Sequence, residues 1–295
     1  RSFTATISLS PGVADAGVGG NPSISGASGL ENTYIIDGVN ITDPGYGAAG
    51  AYSRKFGSMG SGFPPDIVRE VQVMTGGFEP EYGQALGGVV NVITKSGGNR
   101  FAGETFVYWS PESLTGESQR VDFEESYVVN RSAAEGVDGG LNLGGPIVAD
   151  RLFFFVAYNR KREETTFVND PDAPQATAFP STTNVRTTDS YALKANASLG
   201  SNHALDLGAF GDPGSSALAN QNGFGIESAD PLAKQSALEF GGHNQVLRWS
   251  GVFGSSLFVE AQAARAQSSF EELLGPEADR HPVSDYTVSP VVRSG

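Results

Sequence analysis

One stretch of the chain collects aromatic and charged side chains among glycines. Residues 43–63 are rich in Gly, Ser and Tyr and predict a long loop. Mixed aromatic and charged groups on a loop are suited to recognising a ligand, whereas the alternative is a loop that is solvated or packs against its neighbours. The candidates for substrate contact are Asp43, Tyr46, Tyr52, Arg54 and Lys55.

Acidic residues recur elsewhere in polar segments. The pairs are Glu124 and Glu125, Asp170 and Asp172, and Glu271 and Glu272. They could attract cations, but the most calcium-like string, residues 169–172, lacks the later Gly and Glu of a hand-type loop. Solvated surface charge is therefore the favoured interpretation of these acids.

Other kinds of site find no support in the residue pattern. His203, His243 and His281 are far apart and lack metal-ligand spacing, and there is no Cys to supply a thiolate ligand. No nucleophile elbow or Walker loop is present, so we expect no catalytic residue, no metal and no cofactor, and hence no enzyme. A net charge of −14 argues against nucleic acid as a partner.

The elements that would position a binding loop are strands. Gly is abundant at 39 residues and aromatic residues make up 10% of the chain, as in all-β folds with many turns. Residues 1–99 contain short β-like runs at Tyr34–Ile36, Val68–Met74 and Val89–Thr94. With a helical turn near Pro80–Leu86, this part predicts a small mixed α+β domain.

Residues 100–295 show a regular rhythm of longer strands. The predicted strands are Phe101–Trp109, Gly139–Leu143, Leu152–Arg160, Ser190–Leu199, Ala204–Phe210, Gln245–Phe253 and Leu257–Ala266, with an eighth near Thr287. The connectors alternate between short links, such as Gly200–His203, and long polar ones, namely Ser110–Asp138, Lys161–Asp189, Gly211–Asn244 and Gln267–Tyr286. Outer-membrane barrels alternate in this way because their periplasmic turns are short and their extracellular loops are long.

Residue types alternate within these strands. In Ser190–Leu199, apolar residues such as Leu193 share one face, and Lys194 and Asn196 share the other. In Gln245–Phe253, Arg248 lies on the polar face. This period of two fits a lipid face and a polar lumen, and it also fits a half-buried soluble sheet.

Four segments resemble TonB-dependent outer-membrane receptors of the Oar-like subgroup. Residues 66–108 include the string YGQALGGVVNVITK, similar to the end of that family's plug running into the first barrel strand. Ile24–Asn40 contains IIDGVN, similar to an earlier plug strand, and Arg1–Val13 fits the segment before it. Gly144–Tyr158, GGPIVADRLFFFVAY, resembles the link between the second and third barrel strands.

The resemblance implies a fold and its division. Residues 1–99 are expected to form the plug domain, N-terminally truncated, and residues 100–295 the N-terminal part of the barrel, about 7–8 strands of an antiparallel transmembrane β-barrel that is 22-stranded when complete. The chain is thus expected to be a fragment, lacking the upstream TonB box and most of the pore.

The resemblance also implies a mechanism and a place in the cell. Such receptors lie in the outer membrane of Gram-negative-type bacteria, among lipid and lipopolysaccharide. They bind an extracellular small molecule, oligosaccharide or peptide and import it with the proton-motive force that the TonB complex transmits. Alternatives are a surface adhesin or glycan-binding extracellular β-domain, and an export channel of the same architecture.

Seven residues of the plug motifs are expected to have structural roles. Asp37 and Gly38 predict a tight turn, since Gly tolerates positive φ, and Gly87 and Gly88 predict a close approach of backbones. Tyr82 and Gly83 are expected to cap a helical turn, and Asn91 lies within the buried strand Val89–Thr94. By the same resemblance, the loop after Asp37-Gly38-Val39 faces outward, where ligands arrive.

Overall fold

The computed structural model describes most of the chain. The described residues are 3–18, 20–53, 57–60, 63–78, 82–83, 85–114, 130–168, 181–217, 236–274, 283–285 and 292–294. Within them, two bodies can be distinguished, a small unit that ends at Thr94 and a large sheet that we call the wall.

The small unit is built mainly from short strands. Its elements are α1 (Thr4–Ile7), β1 (Val13–Val18), β2 (Asn21–Ile24), β3 (Thr33–Ile36), β4 (Val39–Asn40), β5 (Ala51–Ser53), β6 (Gly57–Met59), β7 (Val68–Met74) and β8 (Val89–Thr94). The strands form a sheet in the order β4-β3-β8-β7, called the small sheet, and two hairpins, β1-β2 and β5-β6.

The small sheet confirms the three strands predicted for this part of the chain. β8 lies between β3, to which it is parallel, and β7, to which it is antiparallel. Its apolar run follows from this central position, and Val89, Val90 and Val92 are almost fully buried.

Less helix is present than the mixed α+β prediction implied. In the described residues of the small unit, helix is limited to α1, a 3-10 turn at Pro65–Ile67 and 3-10 structure at Tyr82, which is followed by a turn at Gly83. Pro80, where the helical turn was predicted to begin, lies outside the described residues.

Tyr34 and Asn32 show how polar groups are accommodated in the buried core of the small unit. Tyr34 as a whole is only 1% exposed, and its hydroxyl accepts a 3.2 Å hydrogen bond from Asn32 Nδ2. Burial raises the pKa of Tyr34 to about 12, because the phenolate would lose its hydration. Asn32 also donates to the carbonyl of Pro22 and accepts from Gly88 N, so it ties β2 to the start of β8.

The wall is an antiparallel meander. Its strands are β9 (Ala102–Ser110), β10 (Asn130–Val148), β11 (Leu152–Val168), β12 (Ser181–Leu199), β13 (His203–Gly211), β14 (Gly214–Ser216), β15 (Ser236–Phe253), β16 (Leu257–Arg265) and β17 (Ser268–Leu274). β13 and β14 both pair with β15 on one side and β12 on the other, and β16 and β17 both pair with β15. We call each strand position across the sheet a stave, and β13 with β14, like β16 with β17, shares one stave. The nine described strands therefore form seven consecutive staves.

All seven predicted wall strands are present, and the first two pair as expected. Gly139 faces Val107 and Leu143 faces Gly103 across an antiparallel ladder. The prediction was wrong about where several strands begin or end on the long-loop side. β11 continues to Val168, and β12 begins at Ser181, since these polar extensions satisfy their backbone groups in the ladder without any apolar alternation.

Two segments predicted as connectors contain strands. β14 and β17 continue the staves of β13 and β16 beyond a break, so the predicted loops Gly211–Asn244 and Gln267–Tyr286 are shorter than expected. The predicted eighth strand near Thr287 lies outside the described residues, and on either side of it β18 (Val283–Asp285) pairs with β19 (Val292–Ser294).

The two faces of the wall differ in the way the alternation predicts. Leu193, Leu207 and Leu247 are 42–48% exposed on the outer face. Lys194 lies on the opposite, inner face, where its ammonium contacts the small unit. Among the described residues, no helix is both long and apolar enough to cross a membrane.

Replacing Gly88 with Ala should destabilise the small unit. A Cβ there would lie 2.5 Å from Ile24 Cγ2 and 2.9 Å from the carbonyl oxygen of Met74. We expect a loss of about 1–3 kcal/mol, typical of overpacking. Limited proteolysis of the full-length protein in membranes should show faster cleavage within the small unit.

The matched control is Gly98→Ala, where an added Cβ meets nothing within 4 Å. Equal protease resistance of the two variants would contradict the close approach at Gly88.

Candidate functional site

The small unit lies against the inner face of the wall, and the contact surface between them is called the seam. It extends from the first stave to the last, because Tyr108 on β9 donates to Asp66 Oδ1 and Gln262 on β16 donates to the carbonyl of Gly38. The middle of the seam is apolar. The rings of Phe63 and Phe210 are 5.6 Å apart, and Ala192 belongs to the same buried cluster.

The β3–β4 hairpin presents its turn to the wall. The two turn residues, Asp37 and Gly38, have φ values of 49° and 82°, as a tight primed hairpin turn requires. Gly has no Cβ to oppose this conformation, and Asp is among the few other residues that tolerate it. The carboxylate of Asp37 is thereby held at the tip of the hairpin.

Asp37 bonds both within the small unit and across the seam. Its Oδ1 accepts the backbone N–H of Thr94 at 3.0 Å, and its Oδ2 accepts the Thr94 hydroxyl at 2.6 Å. Lys194 Nζ lies 2.8 Å from Oδ1 and also donates to the carbonyl of Thr94 at 3.1 Å. The side chains are only 9% and 12% exposed for Asp37 and Lys194, so this is a buried ion pair.

Gly38 is held by β15 and β16, which lie beyond β13 in the wall. Gln262 Nε2 donates to its carbonyl at 2.9 Å, and Arg248 donates twice to Gln262 Oε1, which fixes the amide. A Cβ on Gly38 would lie 2.3 Å from Arg248 Nη2. A side chain at Gly38 would therefore displace the flexible end of Arg248, and it would also be strained by the φ of 82°.

A polar cavity of about 780 Å³ adjoins this contact. One side is the open face of the small sheet, including Ile35, Asn91 and Arg69, and the other is the wall. Asn196 on the wall donates to Asp206 at 2.7 Å, and its own buried Oδ1 has no protein partner. Such a polar, roomy space is suited to ordered water.

A second contact lies towards the long-loop end of the wall. Met59, which is fully buried, packs with Leu238 and Phe240 of β15. The backbone of Gly60 approaches Gly241 so closely that a Cβ on Gly60 would be 2.9 Å from Gly241 Cα. Gly241 has a φ of 123° at the level where the neighbouring staves break.

The predicted binding loop is organised by Asp43. Its Oδ1 accepts the N–H groups of Gly45 at 2.8 Å and Tyr46 at 2.9 Å, and its Oδ2 accepts that of Tyr52 at 3.2 Å. The rings of Tyr46 and Tyr52 are 5.1 Å apart, with Tyr46 46% exposed and Tyr52 7% exposed. Arg54 and Lys55 lie outside the described residues.

The plug-motif residues fall into two groups. Five of them line the polar cavity, namely Asp37, Gly38, Tyr82, Gly83 and Asn91. Gly87 and Gly88 lie apart, where an added Cβ would meet Asn32 Oδ1 at 2.4 Å and Ile24 Cγ2 at 2.5 Å.

The residues that sequence reasoning did not select are the partners on the wall. These partners are Lys194, Arg248 and Gln262. Each lies on the polar face of a predicted strand, and this position is the sequence feature that could have identified it. A cation that faces inward needs a partner, but the pattern does not show which turn supplies it.

The remaining acids and histidines do not form a site in the described part of the chain. Glu271 and Glu272 lie in β17, and His243 Nδ1 is 2.9 Å from the hydroxyl of Tyr191. No group of three or more potential ligands for a metal occurs among the described residues. The other predicted acids and His281 lie outside them.

Comparison with known proteins gives two domain matches. Residues 1–89 match the family model of the TonB-dependent Receptor Plug Domain, and residues 93–178 match that of an Outer membrane beta barrel domain. Over 159 residues the chain is 35% identical to the TonB-dependent transporter Oar of Myxococcus xanthus. That alignment covers 54% of this chain and 14% of the relative, so the chain spans a small part of the relative's length.

Solved structures show the same fold at low identity. The ferric enterobactin receptor PfeA of Pseudomonas aeruginosa, in a mutant form, aligns with a TM-score of 0.58 at 16% identity, over 99% of this chain and 42% of that one. The outer membrane transporter YddB of Escherichia coli aligns with a TM-score of 0.63 at 15% identity, over 89% and 36%.

Replacing Asp43 with Ala should loosen the binding loop. Hydrogen bonds to a charged group are each worth about 1.5–3 kcal/mol, so loss of even one should speed local amide exchange by about 10- to 100-fold. Hydrogen exchange of the full-length protein should show this acceleration at the amides of Gly45, Tyr46 and Tyr52. Amides of β8 serve as the internal control, and unchanged exchange in the loop would contradict the role of Asp43.

Proposed function

We propose that this chain, which belongs to the TonB-dependent outer-membrane receptors, binds an extracellular substrate and imports it into the periplasm with energy transmitted by TonB. Membership of this family places the chain in the outer membrane and among transporters rather than enzymes. The small unit corresponds to the matched plug, and the wall begins the matched barrel.

The proposal includes a division of the chain. Residues 1–99 form the plug domain and residues 100–295 contribute the first staves of a barrel that has about 22 strands when complete. The short links of the wall then face the periplasm and its long connectors face the cell exterior. Leu193, Leu207 and Leu247 lie on the lipid face, and lipid and lipopolysaccharide are the proposed surroundings.

The observation that carries the proposal is the construction of the seam. In the described residues the small sheet and the wall are separate sheets, with no strand of one paired to a strand of the other. The plug can therefore shift without breaking a backbone ladder, and only side-chain contacts and single hydrogen bonds must be exchanged. A structural domain fused permanently to its barrel would have no need of such a boundary.

The binding loop supplies the proposed substrate contacts. Asp43 shapes the loop, Tyr46 offers an exposed aromatic face, and Tyr52 supports it from below. Arg54 and Lys55 complete the proposed set. A small molecule, an oligosaccharide or a peptide could use such groups, since ring stacking and charge-assisted hydrogen bonds suit each of these classes.

Uptake by the full-length receptor tests the function. We propose measuring four labelled probes in intact cells: ferric enterobactin, cobalamin, a maltooligosaccharide and an oligopeptide. At least one should accumulate, and its accumulation should stop when TonB is deleted or the proton gradient is collapsed, while surface binding persists. Accumulation that is indifferent to both treatments would contradict energy-coupled import.

The variant Tyr46→Ala should weaken binding of the same probe by about tenfold, as expected for the loss of one aromatic contact. Leu9→Ala is the matched control, because Leu9 is 82% exposed in the small unit but lies outside the loop.

A further inference from the structure

We propose that Asp37 and Lys194 form a latch that keeps the plug closed against the barrel wall, and that its opening joins the polar cavity to the rest of the lumen. This inference rests on the proposed function, since it names the contact that must be exchanged when the plug shifts.

The latch joins three parts of the chain at one point. Lys194 Nζ contacts both the Asp37 carboxylate at the tip of the β3–β4 hairpin and the carbonyl of Thr94 at the end of β8. One ammonium group therefore holds the C-terminal ends of two adjacent strands of the small sheet, β3 and β8, against β12. Further along the wall, β16 and β15 add Gln262 and Arg248 at Gly38, so the whole turn is held by the wall.

Burial makes the latch strong while it is closed. The two side chains are only 9% and 12% exposed, so their attraction is weakly screened, and removing one partner leaves an unpaired charge. The apolar middle of the seam, around Phe63 and Phe210, lacks this directional character. This apolar packing opposes separation of the plug from the wall, but it does not fix the position of the plug along the barrel axis.

The adjoining cavity makes the latch releasable. Asp37 and Lys194 both line the polar cavity of about 780 Å³, so water can take over their hydrogen bonds as they separate. Asp37 would still be held by the N–H and hydroxyl of Thr94, because both bonds lie within the small unit. The latch can thus open while the small sheet stays folded.

The chain offers a substitution that removes the charge alone. In Asp37→Asn the amide oxygen can still accept from Thr94 N, and the amide nitrogen can donate to the Thr94 hydroxyl. Asn also tolerates the positive φ of this position. Lys194→Met keeps the length of the side chain and removes its charge.

A matched control is the exposed ion pair between Lys95 and Glu104. These two groups are 3.3 Å apart and also join the end of β8 to the wall, but their side chains are 35% and 49% exposed. A pair so exposed contributes little to stability. The control variant is therefore Lys95→Met with Glu104→Gln.

Conductance of the full-length receptor in planar bilayers tests the latch without TonB or substrate. Urea added on the periplasmic side should open the pore, and the half-opening concentration should fall by about 1 M in Asp37→Asn and in Lys194→Met. The double variant should show no larger shift than the singles, because they remove the same interaction.

Three results would overturn the latch. The first is half-opening of Asp37→Asn or Lys194→Met at the wild-type urea concentration. The second is an equal shift of this concentration in the Lys95 and Glu104 control, and the third is additive shifts of the two single substitutions in the double variant. Protease resistance of the small unit without urea checks that each variant is folded. Since the assay needs neither TonB nor a known substrate, its failure is distinguishable from failure of the proposed function.

Discussion

The structure depends on one constraint, that in the described residues the strands of each sheet pair only with strands of the same sheet. In the proposed outer-membrane setting the wall needs this, because its outer face would meet lipid, where an unpaired N–H or C=O group is costly. The small sheet meets the same need with β3, β8 and β7. Since neither sheet completes the other, side chains carry most of the contact between them. Two sheets in contact in this way can move relative to each other when a few hydrogen bonds are exchanged.

The seam divides its tasks between chemically different contacts. Apolar packing of Phe63, Phe210 and Ala192 excludes water and does not depend on exact orientation. The buried pair of Asp37 and Lys194 depends on orientation, and so it fixes where the hairpin turn sits. Near the long-loop end, Gly60 allows its backbone to approach that of Gly241, where a side chain on Gly60 would separate them. The proposed binding loop around Asp43 and the Asp37 contact with Lys194 therefore belong to the same small unit.

Sequence reasoning predicted the parts of the fold that follow from local pattern. The runs Val68–Met74 and Val89–Thr94 agree with β7 and β8 because their residue types fit one buried environment. The inward face of Lys194 follows from a period of two. The extensions of β11 to Val168 and of β12 from Ser181 could not be predicted, since their polar residues lack alternation and the pairing itself stabilises them. The partners of Asp37 and Gly38 depend on how distant strands are placed, which spacing alone does not specify.

The central claim is that the plug separates from the wall when the receptor is energised. Ala192 is only 1% exposed in the seam, and the 295-residue chain contains no Cys, so Ala192→Cys gives a reporter with little change in volume. Labelling of this variant by a membrane-impermeant maleimide should be measured in intact cells exposed to substrate. The account predicts labelling that requires both TonB and the proton gradient. Labelling that is the same with and without them would contradict it.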